Sequence, residues 1–286
     1  KDFRVSLVEP WFMGKKLKLG CELYYRDLLF LSDEYDQTNA GASIWLGKQV
    51  GRRARIEGRY RFEKIEVEVE SDSSAAFEAE EGTYTRSALS INYIYDSRDS
   101  NKLPRKGEKI DVGVTLAGGA LGGDVDTYTV TGTGTKHWNL SWDTILTARG
   151  SFSVVDEYSG DGTAPIFERQ FLGGSRDLRG FEYRDLGPRD PVTNEVIGGG
   201  TSAFVSLELT FPITERVRGA VFYDTGFVNV DSWDFGGGDL ASDAGLGLRM
   251  DLPIGPLAVD YAIPLSTPDD EADNGGQFNF YLNYQF

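Results

Sequence analysis

The sequence predicts an all-β fold: an antiparallel transmembrane β-barrel of about twelve to thirteen strands, one domain over residues 1–286. Three observations predict it. Apolar and polar or small residues alternate with period two from one end of the chain to the other. The connections between alternating segments are short and long by turns, as in outer-membrane barrels. No apolar run approaches the roughly 18–20 residues of a membrane-spanning helix, whereas barrel strands of about 9–11 residues need only alternate apolar positions.

The segments follow in order. Residues 2–9 form the first. Over 16–28, Leu17, Leu19, Cys21, Leu23 and Tyr25 alternate with Lys18, Gly20, Glu22, Tyr24 and Arg26. Strands near 40–49 and 53–64 come next, and Ile56, Gly58, Tyr60 and Phe62 share one face of the latter. The apolar parity then flips to Ile65, Val67 and Val69, separated by Glu66 and Glu68, which predicts a bulge or an exit from the bilayer. The flip reads as a strand continuing above the membrane into its loop. Further strands fall near 84–96, 107–120 (Ile110, Val112, Val114, Leu116), 125–140, 141–157, 201–213 (Val205, Leu207, Leu209, Phe211) and 216–229. The last three lie near 240–252, 255–265 and 277–286. In the final segment Phe278, Phe280, Leu282, Tyr284 and Phe286 alternate mostly with amides. A bare strand ending so would invite aggregation in water, but it suits a strand with lipid on one face and an aqueous lumen on the other.

Ile213 to Arg216 and Leu252 to Gly255 read as tight turns, placed on the periplasmic side. The long connections at 29–39, 65–83, 158–200, 230–239 and 266–276 fall on the extracellular side; the connection at 97–106 is long for its periplasmic place. An odd strand count is unusual for a single-chain bacterial barrel. Either residues 1–9 lead into a twelve-stranded barrel, or further strands precede them.

Composition narrows the function. The chain carries a net charge of −16, which argues against nucleic acid as a partner. Aromatic residues make up 13%, with 14 Tyr against one His, and Tyr and Trp suit the girdles at membrane–water interfaces. Cys21 is the single cysteine, so no intrachain disulfide or cysteine metal cluster forms; its alternation with Leu19 and Leu23 places it on the lipid face. The opening Lys1-Asp2-Phe3-Arg4-Val5 is no signal segment, so any such signal lies outside this sequence. His137, Ser141 and Asp143 are the one combination that could begin a hydrolase triad, but no motif supports the geometry. They read as strand-end residues beside the girdle residues Trp138 and Trp142. The acidic stretch Glu63 to Glu70 reads as a solvated face rather than a cation site.

The long connection contains Phe167-Glu168-Arg169-Gln170-Phe171-Leu172-Gly173-Gly174-Ser175-Arg176-Asp177-Leu178-Arg179-Gly180-Phe181, then Leu186 to Asp190 and Gly198-Gly199-Gly200. Elsewhere stand Val8-Glu9-Pro10-Trp11-Phe12, Tyr95-Asp96-Ser97-Arg98-Asp99 and Phe222-Tyr223-Asp224-Thr225-Gly226. Together these resemble the C-terminal barrel of the BamA family of outer-membrane protein assembly factors, in the bacterial surface antigen superfamily. In that family an extracellular loop folds into the lumen and carries a [VI]RG[FY] motif; here Leu178 takes its first position, and Arg179, Gly180 and Phe181 match.

The resemblance implies a barrel of sixteen strands, of which this chain would lack the first three and the periplasmic POTRA domains. It implies that Glu208 and Asp224, on the lumen parity of the strands after the loop, receive Arg179, and that 277–286 is a recognition signal forming one side of a lateral seam. Asn283 departs from that signal, which usually has Gly. The implied function is insertion of unfolded outer-membrane clients into the bacterial outer membrane, without catalysis, nucleotide or cofactor. Implied partners are lipids, clients and accessory lipoproteins held by POTRA domains. A TamA-like or two-partner-secretion translocation barrel, and an inert pore, are the alternatives.

Overall fold

The computed structural model describes residues 1–28, 32, 34–70, 73–160, 162–236, 240–253, 255–268 and 275–282. Among them are thirteen strands: β1 (Asp2–Glu9), β2 (Leu17–Leu28), β3 (Tyr35–Val50), β4 (Ala54–Val69), β5 (Gly82–Asp96), β6 (Gly107–Ala117), β7 (Thr127–Asn139), β8 (Ile145–Glu157), β9 (Thr201–Pro212), β10 (Val217–Asn229), β11 (Ala241–Leu252), β12 (Gly255–Ser266) and β13 (Gln277–Leu282). They form one sheet in chain order, each strand antiparallel to the next. Among the described residues β1 and β13 are not paired with each other, so the sheet is not closed. Residues 2–9 pair with β2 along their whole length, from Asp2 opposite Arg26 to Glu9 opposite Leu19, which corrects the reading of them as a leader into twelve strands.

Burial divides the faces in a sense opposite to that of a soluble protein. On β9 the apolar Val205, Leu207, Leu209 and Phe211 are exposed, while Ser206, Glu208 and Thr210 between them are buried. The same inversion holds on β10, with Val221 and Tyr223 exposed and Asp224 buried. A continuous apolar outer wall of this extent needs a nonaqueous surrounding.

The parity flip in β4 is no bulge. Register with β3 and β5 runs unbroken through it, with Ile65 opposite both Asn39 and Tyr84. Ile65 and Val67 instead keep the inner face, where they pack with Tyr35, Phe77 and Ile166 in a small core. Glu66 and Glu68 hold the outer face, exposed. The outer wall thus turns from apolar to charged above Phe62, and the inner wall turns apolar because residues 158–200 cover it. β3 and β4 reach further than the sequence suggests for the same reason: their loop-end residues pack against that covering segment.

The connection at 97–106 is ordered by its own bonds. Asp99 Oδ1 accepts from the backbone N–H of Arg105 (2.9 Å) and Lys106 (3.2 Å), and Arg105 pairs with Asp143 in the neighbouring β7–β8 turn.

Candidate functional site

The segment 158–200 lies against the inner face of strands at both ends of the sheet, so the sheet curves around it. Its own fold is fixed locally. Gln170 bridges to Gly199, Leu172 to Leu186 and Arg189 to Val196, making a narrow antiparallel arm. At the tip Asp177 Oδ1 accepts from the N–H of Gly173 (2.8 Å) and Leu178 (2.7 Å), a side-chain-capped turn that presents Arg179 to the wall. Leu178 and Phe181 are buried with Leu172, Leu186 and Ala241.

Arg179 is 2% exposed and meets three carboxylates. Its Nε and Nη2 donate to the two oxygens of Asp224 at 2.7 and 2.9 Å, a bidentate pair. Nη1 donates to Glu208 Oε2 at 2.7 Å and reaches Asp260 Oδ2 at 3.4 Å. The guanidinium carbon lies 3.4 Å from the centroid of the Phe222 ring, so the cation also stacks on an aromatic face. A second guanidinium shares two of these carboxylates. Arg249 on β11 donates to Glu208 from Nε (3.1 Å) and Nη2 (2.6 Å), and to Asp260 from Nη1 (2.5 Å) and Nη2 (3.1 Å). Glu208 and Asp260 thus bridge the two guanidiniums and Asp224 is held by Arg179, and this paired hydrogen bonding is what lets charges persist out of water.

Space for this network comes from glycine. A Cβ on Gly247 would meet Asp260 Oδ1 at 1.9 Å, and a Cβ on Gly180 would meet Asp243 Cβ at 2.5 Å. The β11–β12 register shifts between Ser242 and Asp243, where Gly180 lies against the wall.

The cluster reaches the last described strand. Asn279 Nδ2 donates to the carbonyl of Arg179 at 2.8 Å, and the Tyr281 hydroxyl donates to Asp260 Oδ2 at 2.7 Å. Phe278, Phe280 and Leu282 stand on the opposite, outer face of β13, exposed and away from the cluster. Tyr284 and Phe286 lie outside the described residues, as does Asn283.

The structure thus brings Leu178, Arg179, Gly180, Phe181, Glu208 and Asp224 into one place. Sequence reasoning missed Arg249, Asp260, Asn279 and Tyr281. The available signal was charge or amide on the lumen parity of β11 to β13; what the sequence lacks is the stagger that sets these positions level with one another.

A second buried network, also missed, holds the start of the loop to the other side of the sheet. Glu168 pairs with Arg86 on β5, whose Nη1 donates to Glu63 on β4 at 3.1 Å; the Tyr24 hydroxyl on β2 donates to Glu63 at 2.6 Å. Arg169 next to it pairs with Glu80. Glu63 therefore turns inward to Arg86 while Glu66 and Glu68 face outward. Among the described residues no group of acidic, His or Cys side chains has the grouping for a metal ion. His137 faces inward with its Nδ1 2.9 Å from Thr147 Oγ1, and Asp143 is engaged by Arg218 at 3.0 Å.

An apolar outer wall, a polar inner wall and an inserted arm held by buried charges define an outer-membrane β-barrel with an occupied lumen. Comparison with known proteins gives its kinship: residues 1–286 match the Omp85 superfamily domain, and the chain belongs to that superfamily. It is 29% identical to the outer membrane protein assembly factor BamA of Nitratidesulfovibrio vulgaris over all of its own length and 36% of that protein's. It is 28% identical to the sorting and assembly machinery component 50 homolog B of Xenopus laevis, over 74% of this chain and 48% of that one. Among solved structures, BamA from Haemophilus ducreyi lacking POTRA domains 1–3 superposes with a TM-score of 0.85 at 22% identity, covering 98% of this chain and 61% of that one. That likeness establishes the barrel fold. The chain spans between about a third and a half of these curated relatives' length. It is a protein of the bacterial outer membrane, as its BamA relatives are.

Proposed function

We propose that this chain is the barrel of an outer-membrane protein assembly factor, which folds and inserts client β-barrel proteins through a lateral seam. The work is mechanical: it needs no catalytic residue, nucleotide or cofactor. The observation that carries the reading is the coupling of the lumen arm to the last described strand, through Asn279 on Arg179 and Tyr281 on Asp260. It gives physical content to the kinship with assembly factors over the whole chain.

Besides its register pairs with β12, β13 is tied inward to the Arg179 cluster by two side-chain bonds. A strand so held suits the movable side of a seam, where a backbone edge takes a client strand by strand addition. Local thinning of the bilayer beside the seam would lower the barrier to insertion. Arg179, with Glu208, Asp224, Asp260 and Arg249, is the fixed post against which β13 moves. Phe278, Phe280 and Leu282 supply the lipid side of the seam. Clients are unfolded outer-membrane proteins; accessory lipoproteins would engage domains outside this segment.

The test reconstitutes the full protein into lipid vesicles and follows folding of a urea-unfolded client barrel, with bilayer conductance measured in parallel. Accelerated client folding without a large steady conductance is the expected result. Steady conductance with client folding no faster than in empty vesicles would replace this reading with a passive pore.

A further inference from the structure

The connection between β10 and β11 takes an unusual course. Over residues 230–236 it folds back across the outer wall of the sheet, on the side opposite the lumen arm. The Thr201 hydroxyl on β9 donates to the carbonyl of Asp231 (2.9 Å), the Ser232 hydroxyl donates to the carbonyl of Val155 on β8 (2.6 Å), and Trp233 Nε1 donates to the Tyr128 hydroxyl on β7 (2.8 Å). Phe235 meets the Phe152 ring edge-on at 6.3 Å, with Trp233 tilted against it at 6.4 Å. Val154 and Thr201, register partners that point outward, are wholly buried beneath this flap.

The flap sits at a defined depth. On the strands beneath it, the outward pair Val130 and Val154 is followed toward the loop end by Tyr128 and Asp156, where the tyrosine hydroxyl donates to the carboxylate at 2.9 Å. Trp233, bonded to Tyr128, therefore stands at the loop-end edge of the apolar belt. Its ring is held there firmly enough for the backbone to take a φ of +64°, a region bulky side chains rarely enter. Even so, Trp233 and Phe235 stay 50% and 48% exposed. Their surface continues the lipid-facing wall, and an indole with a satisfied N–H beside a tyrosine is the chemistry of a membrane–water interface.

We propose that residues 230–236 form a membrane-interface anchor, with Trp233 and Phe235 entering the headgroup–acyl boundary of the leaflet at the loop end. The occupant is lipid. Asp231 and Asp234, both exposed, keep the flap from sinking further. The anchor clamps β7, β8 and β9, the strands around the base of the lumen arm, at fixed depth, far from β13.

The experiment uses the full chain in phosphatidylcholine vesicles, with Trp11, Trp45, Trp138 and Trp142 replaced by Phe so that Trp233 alone emits. The expected result is blue-shifted emission, quenched by lipids brominated near the glycerol end of their acyl chains more strongly than by aqueous iodide. Unshifted emission quenched by iodide and not by the brominated lipid would overturn the proposal and leave the flap facing water or a protein. A nitroxide on F235C, in a C21S background with all tryptophans retained, gives the same decision if the first variant does not fold. Collisions with oxygen exceeding those with a water-soluble nickel chelate support the anchor, and the reverse overturns it.

Discussion

Arg179 is held by geometry that neither a smaller cation nor a neutral residue can reproduce. Removing it leaves Asp224 without its bidentate partner and Glu208 and Asp260 with Arg249 alone. Breaking a buried charge network in this way costs about 3–5 kcal/mol. Arg179→Ala is therefore expected to lower the urea midpoint of the reconstituted barrel, and its assembly activity, well beyond Arg149→Ala. Arg149 stands on β8 with its guanidinium 5.3 Å from the Phe204 ring centroid; it feels the charges of Arg179, Asp224 and Glu208 but makes none of the bonds that hold Arg179. Equal and negligible effects of the two would sink the idea of a clasp. Arg179→Lys should not rescue, because a point charge cannot serve both oxygens of Asp224 and Glu208 together. Gly180→Ala should unseat the arm by a different route: the added carbon meets Asp243 Cβ at 2.5 Å and Pro264 N at 3.2 Å, so heightened protease cleavage within 158–200 is the readout. At this scale the sequence names Arg179, Glu208 and Asp224, because a motif and strand parity suffice for them. Arg249 and Asp260 escape it. Parity tells which wall a side chain lines but not which residues of separate strands come level, and that depends on pairing register.

Among the elements, β4 shows most clearly how alternation and environment interact. Thirteen alternating segments were legible because period two survives in every one. The flip at Ile65 reads as an exit above the membrane, although a bulge and a change of surroundings leave the same trace in sequence. Unbroken register decides for the second: lipid outside and water inside below Phe62, water outside and the packed arm inside above it. The expectation that follows is a depth rule. Ile91→Arg, on the exposed outer face midway along β5, should cost roughly 2–4 kcal/mol of folding free energy in a bilayer. Glu66→Arg, on the outer face above the boundary, should cost almost nothing. Equilibrium unfolding in vesicles measures both, and similar penalties would misplace the membrane edge. The network of Glu168, Arg86, Glu63 and Tyr24 left no recognisable trace. Its members come from the loop and three separate strands, and only curvature of the sheet around the arm unites them. Glu168→Gln should loosen the start of the arm, seen as faster amide exchange at residues 164–172 with β9–β12 unaffected.

For the whole molecule, the sheet, the arm and the last strand behave as coupled parts. Two buried charge networks fasten the arm to opposite sides of the sheet, and one of them continues into β13 through Asn279 and Tyr281. Among the described residues the sheet is not closed, and the arm is bonded to the inner face of β13. Kinship with the Omp85 superfamily was legible in the arm's motif; the link from arm to last strand was not, because Asn279 and Tyr281 occupy the gaps of an alternation whose prominent residues face lipid. Photo-crosslinking in the full protein locates the client-facing edge, with a benzophenone amino acid placed at Phe280 on β13 and, separately, at Ile91 on β5, while a stalled client is being inserted. A client crosslink at position 280 and none at 91 is the predicted result. Crosslinks equal at both positions, or absent at 280 while the client still folds, would contradict the assignment of β13 as the client-facing edge.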